Sequence, residues 1–311
     1  MSKRDFRFVT DFNRDELWAV LKLSAEMKDD PFRFRTSLMG KSMAMINEKK
    51  SLRTKVTFEA GIQQLGGFSI YLTNHDINLG KREPVKDIAR NLSRWVDIIA
   101  ARVFQQTTIM EMAEYASIPV INALSDEDHP CQAVADVFTI WDRLRGRGRL
   151  ESFNLVYIGD GNNVCNSLIL ISGMLGFNLT VSTPHGYEPM THVLDRGREL
   201  AGNSGGAIMF ERDPRKAIVS AEAIYTDVWT SMGQEEETEQ RLHDFKAYQV
   251  NEELVALAPK NAAIMHCLPA HRGEEATDAV LESPNSIIFD QAENRLHAQK
   301  AIMKFLVEAK S

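Results

Sequence analysis

Short apolar strands alternate with amphipathic helical segments along this chain, and the alternation begins again near its middle. Strands are predicted at 42–47, 68–72, 97–102 and 119–121, with helices at 14–28, 53–65, 84–95, 107–116 and 131–145. Then comes Arg145-Gly146-Arg147-Gly148-Arg149, which reads as a solvated turn joining two domains rather than as a nucleic-acid patch. Beyond it, strands are predicted at 153–158, 178–182, 207–210, 222–226 and 262–265. Helices follow at 164–175, 190–201, 234–244 and 251–257, with a terminal amphipathic helix at 291–308. Repeated strand–helix order builds parallel sheets through crossover units, so an α/β protein of two domains facing a cleft is expected. Each domain is a parallel sheet flanked by helices, and the boundary is set at 148/149. Ligands of such sheets bind beyond the carboxyl ends of the strands, which directs attention to the residues just after each strand.

The 311 residues suffice for two domains of ordinary size, and 44% hydrophobic with 25% charged residues is the balance of a soluble globular protein. A net charge of -7 lacks the concentrated basic excess of a nucleic-acid binder, yet leaves room for local clusters that bind anions. There is no run of 18 apolar residues and no apolar segment behind Met1, so neither a membrane partner nor a secretory signal is expected. Cys131, Cys165 and Cys267 form no C-x-x-C pair, which points to a reducing, cytoplasmic setting without disulfides. His129, Cys131, His266, Cys267 and His271 match no common zinc spacing, so no metal and no cofactor are expected.

The first polar cluster follows strand 42–47. Ser51-Leu52-Arg53-Thr54-Lys55 opens a helix, where free backbone N–H groups and the positive dipole end favour an anion. Ser51 and Thr54 add hydroxyls, and Arg53 adds a planar fork suited to phosphate oxygens. Taken alone, Ser51 reads equally well as a simple N-cap beside a basic turn. Arg102 at a strand end and His129 at a helix start place two more polar groups at the same end of the predicted sheet.

These residues carry a resemblance. Ser51-Leu52-Arg53-Thr54-Lys55 resembles the S-T-R-T-R motif of the aspartate and ornithine carbamoyltransferases, and His129-Pro130-Cys131-Gln132 resembles their H-P-x-Q motif. Asp227-Val228-Trp229-Thr230-Ser231-Met232-Gly233 looks like the D-x-W-x-S-M-G loop of the ornithine branch. His266-Cys267-Leu268-Pro269 looks like its H-C-L-P motif, and Ala292-Glu293-Asn294-Arg295 like its A-E-N-R segment. The matches run in order through nearly the whole chain. Leu52 and Lys55 depart from the pattern: Leu52 can still offer its backbone N–H, while Lys55 keeps charge but loses the bidentate fork. Gly159-Asp160-Gly161-Asn162-Asn163 also resembles the ornithine enzymes and lacks the G-x-G-x-x-G spacing of a dinucleotide site.

The resemblance implies carbamoyl transfer from carbamoyl phosphate to the δ-amine of ornithine, within arginine biosynthesis or arginine and ornithine metabolism, by a homotrimer or a multiple of trimers. Residues 1–148, joined by the C-terminal helix 291–311 packing back on them, would bind carbamoyl phosphate, and 149–290 would bind ornithine. The carbamoyl phosphate contacts it implies are Ser51, Leu52, Arg53, Thr54, Arg102, His129, Gln132, Cys267, Leu268 and Arg295. Among these, Arg102, His129, Gln132 and Cys267 would act in catalysis. Asn163, Asp227, Ser231 and Met232 would bind ornithine. Read as chemistry, Arg102 and His129 stabilise charge growing on the carbonyl oxygen, and the Gln132 amide oxygen can accept from the carbamoyl NH2. Cys267 is alternatively a small buried hydrophobe, or a covalent nucleophile. Another acceptor amine (an acylated ornithine, putrescine or lysine) and a non-catalytic relative are the competing readings.

Overall fold

A computed structural model describes residues 3–231 and 233–308. They form two compact units, one made of the residues up to Asp142 together with those from Glu293 onward, the other Arg143–Ala292. No helix among the described residues is long and apolar enough to cross a membrane.

In the first unit, β1 (Ser42–Asn47), β2 (Phe68–Thr73), β3 (Ile98–Arg102) and β4 (Val120–Leu124) form a parallel sheet in the order β2-β1-β3-β4. β1, β3 and β4 are buried along their whole length, as strands covered on both faces must be, whereas edge strand β2 leaves Phe68 and Ile70 exposed. The helix predicted at 131–145 is observed as Pro130–Thr139 and widens into a π-helical turn over Ile140–Leu144. The C-terminal helix Ile288–Glu308 enters this unit at Glu293. There Ala298, Ala301, Ile302, Met303 and Leu306 are buried, and Phe305 meets Phe12 edge-on at 5.0 Å. Lys300, almost wholly buried, donates to Gln64 Oε1 at 3.0 Å, and burial lowers its pKa.

His297 on the same helix has its pKa lowered to about 4 by burial, with the charges of Lys300 and Lys28 adding to the effect. The folded value lies below the ordinary histidine value near 6.5. The stability this provides is therefore complete above that pH and is lost as pH falls towards 4. Thermal melts from pH 7 down to pH 4 should show this loss, and His297→Gln should flatten it.

In the second unit, β5 (Asn154–Ile158), β6 (Asn178–Ser182), β7 (Ile208–Phe210), β8 (Ala223–Thr226) and β9 (Ala263–His266) form a parallel sheet in the order β7-β6-β5-β8-β9. Helix Asn163–Leu175 is buried beyond its first residue and packs on Thr191–Ser204 through Gly197, where a Cβ would lie 2.3 Å from Ile169 Cγ2. The glycine- and arginine-rich stretch is exposed over residues 146–149, as a solvated turn should be, and is anchored at its start. Arg145 pairs with Glu222 at 3.0 Å and stands over the Phe153 ring. The helix predicted at 234–244 opens as a 3-10 turn at Glu235–Glu237 before Thr238–Asp244, and the one predicted at 251–257 is the short Glu252–Val255.

Both strand orders reverse direction once. From β1 the chain moves outward to β2 and then returns to the other side for β3. From β5 it moves out to β6 and β7 and then returns for β8. The carboxyl ends of β1 with β3, and of β5 with β8, are thus topological switch points, where the diverging crossovers leave a crevice.

Candidate active site: two polar clusters at switch points

At the switch point of the first unit, Ser51 caps helix Leu52–Gln64 and accepts the Thr54 N–H at 3.1 Å. Thr54 is fully buried, and its Oγ1 receives Arg102 Nη1 at 3.3 Å and Arg295 Nη2 at 3.0 Å. Arg102 closes β3 beside Asn47 of β1, while Arg295 arrives on the C-terminal helix. Asn294 fixes that helix by donating to Thr139 Oγ1 at 3.0 Å and accepting from Lys28 at 2.9 Å. Two buried guanidinium groups converging on one hydroxyl at a helix N-terminus create a strongly positive, preorganised spot suited to a phosphate.

His129 occupies the N-cap position of helix Pro130–Thr139, without a side-chain cap bond, and is buried. Burial, followed by the charges of Arg295, Arg102, Arg53 and Lys49, holds its pKa well below the usual histidine value. It is therefore a neutral imidazole at physiological pH, able to donate one N–H without carrying a charge. Gln132, one turn on and buried, donates from Nε2 to Asp136 at 2.7 Å, and its Oε1 is buried with no hydrogen-bond partner. A buried acceptor left open in this way marks a place where a donor belongs. Leu52 is exposed, so only its backbone lies at the helix start, and Lys55 turns to the Tyr71 ring at 3.8 Å.

At the switch point of the second unit, Asp227 follows β8 and is buried. Its Oδ2 accepts from Asn162 Nδ2 at 2.8 Å and its Oδ1 from the Cys267 thiol at 3.0 Å. Among the described residues it has no cationic partner. Asn162 also caps helix Asn163–Leu175 through its Oδ1, so one side chain sets both the helix start and the carboxylate. Asn163 sits at the first helical position, half-buried, and its Oδ1 accepts the Val164 N–H. Ser231 is half-buried, with its N–H donating to Gln234, and Met232 lies outside the described residues. Gly161 is required by close approach, because a Cβ there would stand 2.3 Å from Pro189 N. Gly161→Ala should cost about 1–3 kcal/mol in urea unfolding, the usual scale for overpacking.

Sequence reasoning passed over three residues here. Asn162 carries the Asp227 contact alongside its predicted neighbour Asn163. Arg241, buried, pairs with Asp160 at 3.1 Å and donates to the Trp229 carbonyl at 2.9 Å, tying the loops after β5 and β8 together. Burial raises Asp160 to about 6 even against the Arg241 charge. Glu275 is fully buried and bonded to His266 at 2.9 Å. A capping asparagine is readable from sequence, but a buried arginine and a buried glutamate carry no local signal. The fold also gathers Asp227, His266 and Cys267, each offering a ligand atom within 4.8 Å of the others, which linear spacing hid. These atoms bond within the protein: Cys267 donates to Asp227, and His266 holds Leu268 N–H and Glu275.

Fold and clusters together define a class: a two-unit parallel α/β protein with an anion-receptive cluster in one unit and a cation-receptive cluster in the other. The carbamoyl-P binding domain of aspartate/ornithine carbamoyltransferases matches residues 4–142 and their Asp/Orn binding domain matches 151–306, so the chain belongs to that family. Ornithine carbamoyltransferase of Thermococcus kodakarensis is 49% identical over 312 residues, covering 99% of this chain and 97% of the relative. The Pyrococcus furiosus enzyme, named ornithine carbamoyltransferase, anabolic, is 46% identical over 312 residues, covering 99% of this chain and 97% of that protein. A solved structure of ornithine carbamoyltransferase from Pyrococcus furiosus is similar at a TM-score of 0.93 and 46% identity, covering 97% of this chain and 96% of that one. An N-acetyl-L-ornithine transcarbamylase structure reaches 0.87 at 31% identity, covering 97% and 99%. The α/β fold and the family expected from the motifs are thus found, and the fold by itself is shared by enzymes with different acceptors.

Proposed function

We propose that this chain transfers the carbamoyl group of carbamoyl phosphate to the δ-amine of L-ornithine, giving L-citrulline and phosphate. The observation that carries the acceptor is Asp227, a buried carboxylate with two neutral donors and no cation among the described residues. A carboxylate offers about four lone-pair sites, so an α-ammonium can still bind it. N-acylated ornithine lacks that charge and would leave Asp227 buried and uncompensated, a costly arrangement.

In this reading the first unit binds carbamoyl phosphate through Ser51, Arg53, Thr54, Arg102 and Arg295, with the backbone at Leu52. Gln132 Oε1 accepts from the carbamoyl NH2, while Arg102 and neutral His129 donate to the carbonyl oxygen. The second unit binds ornithine through Asn163, Asp227, Ser231 and Met232, and Cys267 with Leu268 borders the reacting groups. The neutral δ-nitrogen attacks the carbamoyl carbon, the carbon–oxygen bond to phosphate breaks, and the amine proton leaves on phosphate. The anabolic name of the Pyrococcus furiosus relative favours arginine biosynthesis, and the cysteines without disulfides fit the cytoplasm. Association into the homotrimer, or multiple of trimers, that the motifs imply is supported by the apolar side chains that the first unit leaves exposed: Leu52 and Val56 one turn apart on a helix, and Phe68 and Ile70 on the edge strand.

Product formation with ornithine, acetylornithine, putrescine, lysine and aspartate side by side tests the acceptor. Ornithine should be favoured over every other amine, and a preference for acetylornithine would move the assignment to the acyl branch. Light scattering of the same sample should give three times the chain mass or a multiple of it; a monomer would remove the trimer from the proposal.

A further inference from the structure

His266 closes β9 with its side chain fully buried. Its Nδ1 accepts the N–H of Leu268 at 2.8 Å, and its Nε2 lies 2.9 Å from Glu275 Oε1. A backbone N–H can only donate, so Nδ1 carries the bare lone pair. The single proton of the neutral ring then sits on Nε2 and is donated to Glu275. Glu275 Oε1 also accepts the His271 N–H at 2.7 Å, and the main chain of His266 donates to Gln291 at 2.9 Å.

The bond to Leu268 does work that packing alone could not. Leu268 has φ 59, a left-handed conformation that a side chain-bearing residue adopts only when its surroundings impose it. In a planar trans peptide the N–H and the preceding C=O point in opposite directions. Holding the Leu268 N–H on His266 therefore aims the Cys267 carbonyl away from the histidine, while the Cys267 thiol is kept on Asp227.

We propose that Glu275 and His266 form a positioning pair for the carbamoyl transfer proposed above: Glu275 fixes the tautomer of His266, and His266 fixes the Cys267–Leu268 peptide against which the reacting groups are aligned. The inference rests on that function. Neither residue touches substrate. Protonation or tautomer exchange at His266 would put a hydrogen on Nδ1, against the Leu268 N–H, and release the peptide.

Asparagine and glutamine at position 266 separate this role from space filling. In His266→Asn the amide oxygen takes the place of Nδ1 and can still accept from Leu268. In His266→Gln the longer side chain reaches the place of Nε2, fills more of the volume and keeps the Glu275 contact, but loses the Leu268 bond. The positioning role predicts that H266N has kcat at least about tenfold above H266Q, with ornithine KM within about threefold of wild type in both. Equal activity, or a more active H266Q, overturns it. Glu275 supplies a second arm for the case that either variant fails to fold. E275Q keeps an acceptor for Nε2–H and should stay within about threefold of wild-type kcat, whereas E275L should lose at least about tenfold. Equal kcat in E275Q and E275L overturns the pair. Wild type is measured in the same assay: no citrulline from wild type sinks the proposed function and the pair together, while active wild type with the reversed variant order sinks the pair alone.

Discussion

Arg102→Met lowers kcat by about 100- to 1,000-fold while the protein stays folded. The rate loss follows from what the guanidinium does at the switch point. It is buried at the end of β3, points at the same Thr54 oxygen as Arg295, and in the proposed reaction faces the oxygen on which negative charge grows. Removing one preorganised donor from such a position costs about 2.7–4 kcal/mol of transition-state stabilisation. Stability should change by no more than about 1 kcal/mol, because the lost bond to Thr54 is offset by relief of crowding among like charges. The variant also carries a second signature. Arg102 is one of the charges that hold His129 below its ordinary pKa, so its removal lets that value rise. Arg102→Lys should restore little of the rate, since a point charge cannot reproduce the planar fork. Initial-rate kinetics with a urea titration of each variant separates catalysis from folding.

Asp227→Asn should have opposite effects on catalysis and on stability. Loss of one partner from a buried ion pair costs about 3–5 kcal/mol, so kcat/KM for ornithine should fall by roughly two to four orders of magnitude. The carbamoyl phosphate KM should not move. Without ornithine, the variant should be as stable as wild type or more so, because the substitution removes a buried charge that has only neutral donors around it. Equal ornithine kinetics in the variant would show that the acceptor is recognised elsewhere.

Much of the fold is legible from residue pattern because each strand is short, apolar and followed by a helical period. β1 and β6 fall on their predicted limits, 42–47 and 178–182, and most of the other strands shift by a residue or two. The helices that blur are those without a strong apolar stripe, such as Glu235–Asp244, where three acidic residues open the segment as a 3-10 turn. The order of strands within each sheet is not a local property. It decides that the groups behind β1 and β3, and behind β5 and β8, come together. Candidate site residues come from sequence where the chemistry repeats a known pattern, as at Thr54 and His129, both of which the fold buries in the first unit. Arg241 and Glu275 were not readable: an isolated Arg or Glu in sequence looks like solvated surface, and only tertiary burial turns each into a bonded anchor.

The central claim is a single new bond, between the carbamoyl carbon and the δ-nitrogen of ornithine. It is tested most directly by mixing the enzyme with 13C-labelled carbamoyl phosphate and δ-15N-ornithine and following the carbon spectrum. A one-bond 13C–15N coupling in citrulline, growing in step with released phosphate, is the predicted result. Label that appears only in decomposition products of carbamoyl phosphate, or on an acceptor nitrogen other than δ, would contradict the account.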